Sequence, residues 1–185
     1  MKSITTAPSI SIEPTELPGD GRSVFYFPNP HLGGGKADVV YRISPSAGAP
    51  WYAALADGRV GLRDRAFVMP DRKSVFVDGY VVRAGEPTDW HRVQLDSVSD
   101  CGWTVSGDHV VFLDLHGIAV YGRWGLCWLH RNHRHMYLRR LVGVVDGRII
   151  VEGAIDEDVV GKFPAAFSLW DGSQIHDSVV QHGPA

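Results

Sequence analysis

Residues 74–84 read "SVFVDGYVVRA". Two valine-rich arms flank Asp78-Gly79. An Asp-Gly pair accepts the positive φ angles of a two-residue hairpin turn, and β-branched arms suit extended backbone. The stretch therefore predicts strand, turn, strand. The same device recurs outward in both directions. Asp57-Gly58 interrupts "WYAALADGRVGLR" (51–63), and Leu115-His116-Gly117 turns "HVVFLDLHGIAVYG" (109–122). Asp146-Gly147 divides "GVVDGRIIVEGAI" (143–155), and Asp171-Gly172 divides "AAFSLWDGSQIH" (165–176). Turn signals this close leave no space for helices of ordinary length. Only "PTDWHRV" (87–93) and "NHRHMYLRR" (132–140) have room for a helical turn. The expected fold is all-β, with antiparallel hairpins stacked as blade-like sheets or as a β-sandwich and little helix. "VVFLDL" (110–115) is apolar on both faces, so its sheet should be covered on both sides.

The chain has 185 residues and a formal net charge of -3. That length predicts one all-β domain over residues 23–180. Residues 1–22, rich in Ser, Thr and Pro, with Pro8, Pro14 and Pro18, read as an extended or disordered arm. The net charge does not favour nucleic acid as a partner. Apolar runs are too short to cross a bilayer, and the N-terminus has no charged start followed by an apolar stretch; the expected compartment is the cytoplasm. Cys101 and Cys127 are too few for a disulfide framework; both are expected to be reduced and buried, with a single bridge between them as the alternative.

Residues 108–130, "DHVVFLDLHGIAVYGRWGLCWLH", resemble a blade of the quinoprotein or WD-type propellers: strand, turn, "GIAVYG", then a glycine and a tryptophan-bearing strand. The longer stretch from Val75 to Ser173 is similar to a set of small bacterial β-proteins with no assigned activity. Gly79–Val93, Val110–Trp128, Val145–Asp156 and Phe167–Gly172 carry that likeness. Its motifs are glycine, turn and tryptophan positions, so the resemblance implies architecture and no chemistry. The chain has room for four blades at most. Trp124 stands where the pattern has a small polar residue, and "HRNHRHMYLRR" (130–140) stands where it has a short polar connection.

That last segment is the chemically suggestive one. Three histidines and four arginines fall between Leu129 and Arg140, with no acid among them. His130, His133 and His135 could serve as zinc ligands, completed by His116, Asp114 or His176. No single regular conformation aligns all three, and Arg131, Arg134, Arg139 and Arg140 would surround a divalent cation with fixed positive charge. A solvated connecting loop is the plainer reading. No cofactor is expected otherwise. From Leu115 to Val145 there is no Asp or Glu, while Arg123, Arg131, Arg134, Arg139 and Arg140 share the window with Trp124 and Tyr137. Guanidinium forks beside aromatic faces suit a phosphate, a carboxylate or an acidic protein surface. The alternative is internal pairing with the acidic stretch "VEGAIDEDVV" (151–160) in the same sheet.

Other motifs point nowhere in particular. "GGGKAD" (33–38) lacks the spacing, the Ser or Thr and the helix of a phosphate loop. No G-x-S-x-G occurs, and "GLCWL" (125–129) reads as a buried strand in which Cys127 is core. Most of the six tryptophans should be packing residues; Trp124, in a predicted turn beside Arg123, is the one expected in solvent. These observations predict a non-catalytic protein-binding module of the toxin-inhibitor, accessory or assembly-factor type. It would dock a protein partner with an acidic surface through an edge holding Arg123, Trp124, Arg131, Arg134, Tyr137, Arg139 and Arg140. The alternatives are a histidine-cluster metal protein or metal-dependent enzyme, and a binder of a small anion.

Overall fold

The Asp78-Gly79 hairpin forms as its sequence requires. Asp78 takes φ 45° and Gly79 φ 94°, and Val77 pairs with Tyr80 across the turn. Two successive positive φ angles match the right-handed twist of the arms, which is why Asp-Gly is favoured there. The Asp146-Gly147 turn repeats the geometry at φ 51° and 71°. The computed structural model describes residues 9–19, 23–27, 37–56, 65–131, 136–155 and 163–175. Asp57-Gly58, the glycine loop at 33–36, His133, Arg134, His135, the acids at 156–158 and His176 lie outside them.

The fold is all-β. Sixteen strands among the described residues make four sheets of four strands. The first sheet holds β1 (Ser11–Thr15), β2 (Val24–Phe27), β3 (Ala37–Ser44) and β4 (Trp51–Ala56) in the order β1-β3-β4-β2, with β2 parallel to β4. The second is an antiparallel meander of β5 (Ala66–Val68), β6 (Ser74–Val77), β7 (Tyr80–Arg83) and β8 (Trp90–Arg92). The third repeats that path with β9 (Asp100–Trp103), β10 (Val110–Leu113), β11 (Gly117–Gly122) and β12 (Gly125–Arg131). The fourth does so with β13 (Met136–Val145), β14 (Arg148–Ile155), β15 (Phe163–Ser168) and β16 (Gln174–Ile175).

The two stretches with room for a helical turn are not helical where they are described. Trp90–Arg92 is a strand, and the second stretch enters β13 at Met136. Cross-strand pairing of Tyr80, Val81 and Val82 with Arg92, His91 and Trp90 satisfies backbone groups that a lone turn would leave to water. No helix among the described residues is long and apolar enough to cross a membrane.

The chain divides into two compact units. Among the described residues, the first ends at Arg92 and the second begins at Val93. Within the first, Phe27, Ile43, Trp51, Ala53 and Leu55 of the first sheet pack against Val75, Val77, Tyr80, Val82 and Ala84 of the second. Trp51 is buried, and its indole N–H donates to the Ala84 carbonyl at 2.8 Å, so its polar atom is satisfied in the core. Within the second unit, Val111, Leu113, Ile118 and Val120 of the third sheet meet Leu138, Val144, Ile149, Val151, Ala165 and Phe167 of the fourth. These positions alternate along their strands, as two sheets packed face to face require. Val110 and Phe112, on the opposite face of β10, are also fully buried, as the unbroken apolar run predicts.

Candidate functional site

The predicted binding residues do not fall on one edge. Gly117 pairs with Arg131 at one end of the β11–β12 hairpin and Gly122 pairs with Gly125 at the other. A seven-residue strand is about 20 Å long. Arg123 and Trp124 therefore crown one end of the second unit, and Arg131 lies at the far end of the same strand. Tyr137 joins Arg131's end through its ring contact with His116, 5.4 Å between centroids, in the β10–β11 turn. Arg139 lines a groove there.

At that charged end the polar groups are spent on each other. Asp114, 4% exposed, sits in the β10–β11 turn. One of its carboxylate oxygens accepts from the His116 N–H at 2.7 Å and the other from the Asp96 N–H at 2.9 Å. Such a carboxylate ties the turn to the Val93–Ser99 segment, because buried backbone donors need acceptors. Arg131 donates to the Gln94 carbonyl at 3.3 Å and stands 3.8 Å from the Asp96 carboxylate. Arg140 pairs in register with Glu152 on β14, the acidic stretch that the sequence set against it. The groove of about 470 Å³ at this end is lined by Asp96 and Asp114 as well as Arg139 and His116. With Arg131 beside Asp96, two carboxylates balance two guanidiniums here and offer an anion no net attraction.

His130 lies on β12, half-buried, with its ring 5.0 Å from that of Phe167. It faces the fourth sheet beside Trp128, whose indole N–H donates to the Leu169 carbonyl at 2.6 Å. Among the described residues no three His, Cys, Asp or Glu side chains are grouped to hold a metal ion.

The cysteine expectation needs correction. Cys127 is exposed and Cys101 half-buried, both as free thiols. "GLCWL" is indeed a strand, but it forms an edge of the third sheet, and its register shifts at Val120/Tyr121. Val120 faces Trp128 and Tyr121 faces Leu126, so Cys127 is the extra residue of a bulge. A bulge re-aims side chains, and this one turns the thiol outward.

The other end of the second unit is apolar and open. Neither Arg123 nor Trp124 takes a positive φ, while Gly125 sits at φ 99°, the glycine closing a turn of ordinary hand. Trp124 is 92% exposed, and the Arg123 guanidinium lies 5.6 Å from its ring centroid. Three further loops share this end: Thr104–His109 between β9 and β10, Asp146-Gly147 between β13 and β14, and the turn holding Trp170 between β15 and β16. Val105 is 98% exposed and Trp170 71%, with Val145 and Trp103 also in solvent. Trp170 is held in place. Its Nε1 approaches Gly147 so closely that a Cβ there would lie at 3.0 Å, and the His109 ring meets it edge-on at 6.0 Å. Asp171 braces the same turn by accepting from the Ser173 N–H and hydroxyl at 3.1 and 2.8 Å. Hydrogen bonds from Ser168 and Ser173 hold its carboxyl below the ordinary value of 3.8.

The exposure of Trp124 was expected from the sequence, and that of Trp170, Val105 and Val145 was not. A signal for Trp170 was present, since it directly precedes a predicted Asp-Gly turn. Val105 and Val145 had none, because single apolar residues beside turns are common in proteins.

No family model and no curated protein matches the chain.

Proposed function

We propose that this chain is a non-catalytic protein-binding module, of accessory or inhibitor type, whose second unit docks a partner through its aromatic end. One observation carries the proposal: Trp124, Trp170, Val105 and Val145 are exposed together on the loops of one end. Exposed large apolar groups cost solubility, and a cluster of them on a well-packed scaffold marks a contact surface. Tryptophan beside arginine is the composition that dominates interface energetics. Loops on a rigid sheet pair are suitable carriers, because their ordering cost is met before the partner arrives. The charged end is the weaker candidate, since Arg131 and Asp114 already have partners within the unit. A small β-scaffold of the blade type, held in the cytoplasm, fits such a role.

Capture from extract of the source cell tests the proposal with three baits. The native chain and an Arg131→Ala/Arg139→Ala variant are expected to retain the same partner. A Trp124→Ala/Trp170→Ala variant is expected to lose it while its melting temperature stays close to that of the native chain. Retention by the double tryptophan variant, or loss by the double arginine variant alone, would reject this assignment.

A further inference from the structure

The aromatic end also carries information about the chemistry of its partner. Between the Thr104–His109 loop, the Asp146-Gly147 turn and Trp170 runs a groove of about 570 Å³. Its apolar wall is Val105, Val144, Val145, Leu169 and Trp170, and its ionisable lining is Asp108, His109 and Asp146. Neither Lys nor Arg lines it. Asp108 and Asp146 are exposed at the surface, and Asp171 follows Trp170 directly. Arg123, the cation nearest in sequence to the exposed rim tryptophan Trp124, is engaged over that ring. The ionisable lining of the groove is thus mainly acidic.

We propose that this groove takes a protein segment in which an apolar side chain is flanked by Lys or Arg. The inference rests on the docking reading above and deepens it. The apolar side chain would cover Val105 and the Trp170 face, where water is easily displaced. The neighbouring cation would meet Asp108 or Asp146 and the indole π-cloud, two attractions that act on the same charge. An acidic segment would face two carboxylates, with no Lys or Arg in the groove lining to offset them. A second copy of this chain, joined by a twofold axis through this groove, would set one acidic lining against another.

The test is selection of random peptides displayed on phage against the immobilised full chain, with parallel selection on Trp170→Ala and on Val105→Asp. The second variant, at a 98% exposed position, keeps the test valid if removing Trp170 disturbs the fold. The expected result is enrichment of peptides with Lys or Arg within a few positions of a large apolar residue, absent from both variants. An Asp108→Asn/Asp146→Asn chain should bind the winning peptides about tenfold more weakly, the effect of two partly exposed charge contacts. Acidic or uncharged winners that still require Trp170 or Val105 would overturn this inference and leave the docking reading standing. Enrichment independent of both residues, or no enrichment, would overturn the two together.

Discussion

The two ends of the second unit are built from the same strands and treat their polar and apolar groups in opposite ways. At one end Asp114, Asp96, Arg131 and the Gln94 carbonyl engage each other, and little is left for a visitor. At the other, Trp124, Trp170 and Val105 stand in water beside exposed carboxylates. The first arrangement stabilises the turn it belongs to. The second leaves large apolar side chains mostly in water, and solvating them costs free energy. From the arginine-rich window Arg131 and Arg139 belong to the self-satisfied end, and the functional candidate lies at the other.

Mutations can break that contrast. The largest effect is expected at the charged end. Asp114→Ala strands two backbone donors, those of Asp96 and His116, and should cost about 3 kcal/mol. Urea titration reads this as a lower midpoint, and an unchanged midpoint would show that the turn does not depend on the carboxylate. Gly172→Ala comes next. The glycine is at φ 71°, and a Cβ would lie 2.7 Å from Trp128. Strain and displaced packing together should cost about 2 kcal/mol, measured the same way.

Tyr121 offers a pH test inside the core. Burial pushes its phenol above the ordinary value of 10.0, a backbone hydrogen bond from Gln94 opposing the rise. A raised value in the folded state means that its stabilising contribution is complete below 10.0 and is lost as pH rises through the raised value. Tyr121→Phe should therefore lose less stability than the native chain when the pH is taken from neutral to above 10.0. Equal alkaline losses in melting experiments would mean that Tyr121 is not the group responsible. The smallest effect is expected at the aromatic end. Trp124→Ala should change stability by no more than about 0.5 kcal/mol, as for a surface residue without internal partners beyond Arg123. A larger loss would make Trp124 a structural residue and remove the difference between the ends.

The turns were legible because their cause is local. Asp78-Gly79 and Asp146-Gly147 need φ values that few other residue pairs accept, and the neighbouring valines need only extended backbone. The burial of Val110–Leu113 on both faces was legible for the same reason, since composition alone excludes a wetted face. Cys127 was misread because its exposure depends on a register shift between β11 and β12, which no residue within the pentapeptide announces. Arg131 was read as available because its partner Asp96 lies 35 positions away along the chain, with three strands between them.

The amino-acid sequence by itself determined the all-β class, the main hairpin corners and the solvent position of Trp124, because backbone dihedral preference and hydrophobic patterning act over a few residues. Only the tertiary structure decided which charges cancel and which aromatic residues gather at one end. Those outcomes depend on strand direction and register, which bring together residues such as Val105, Val145 and Trp170 from loops far apart in the chain.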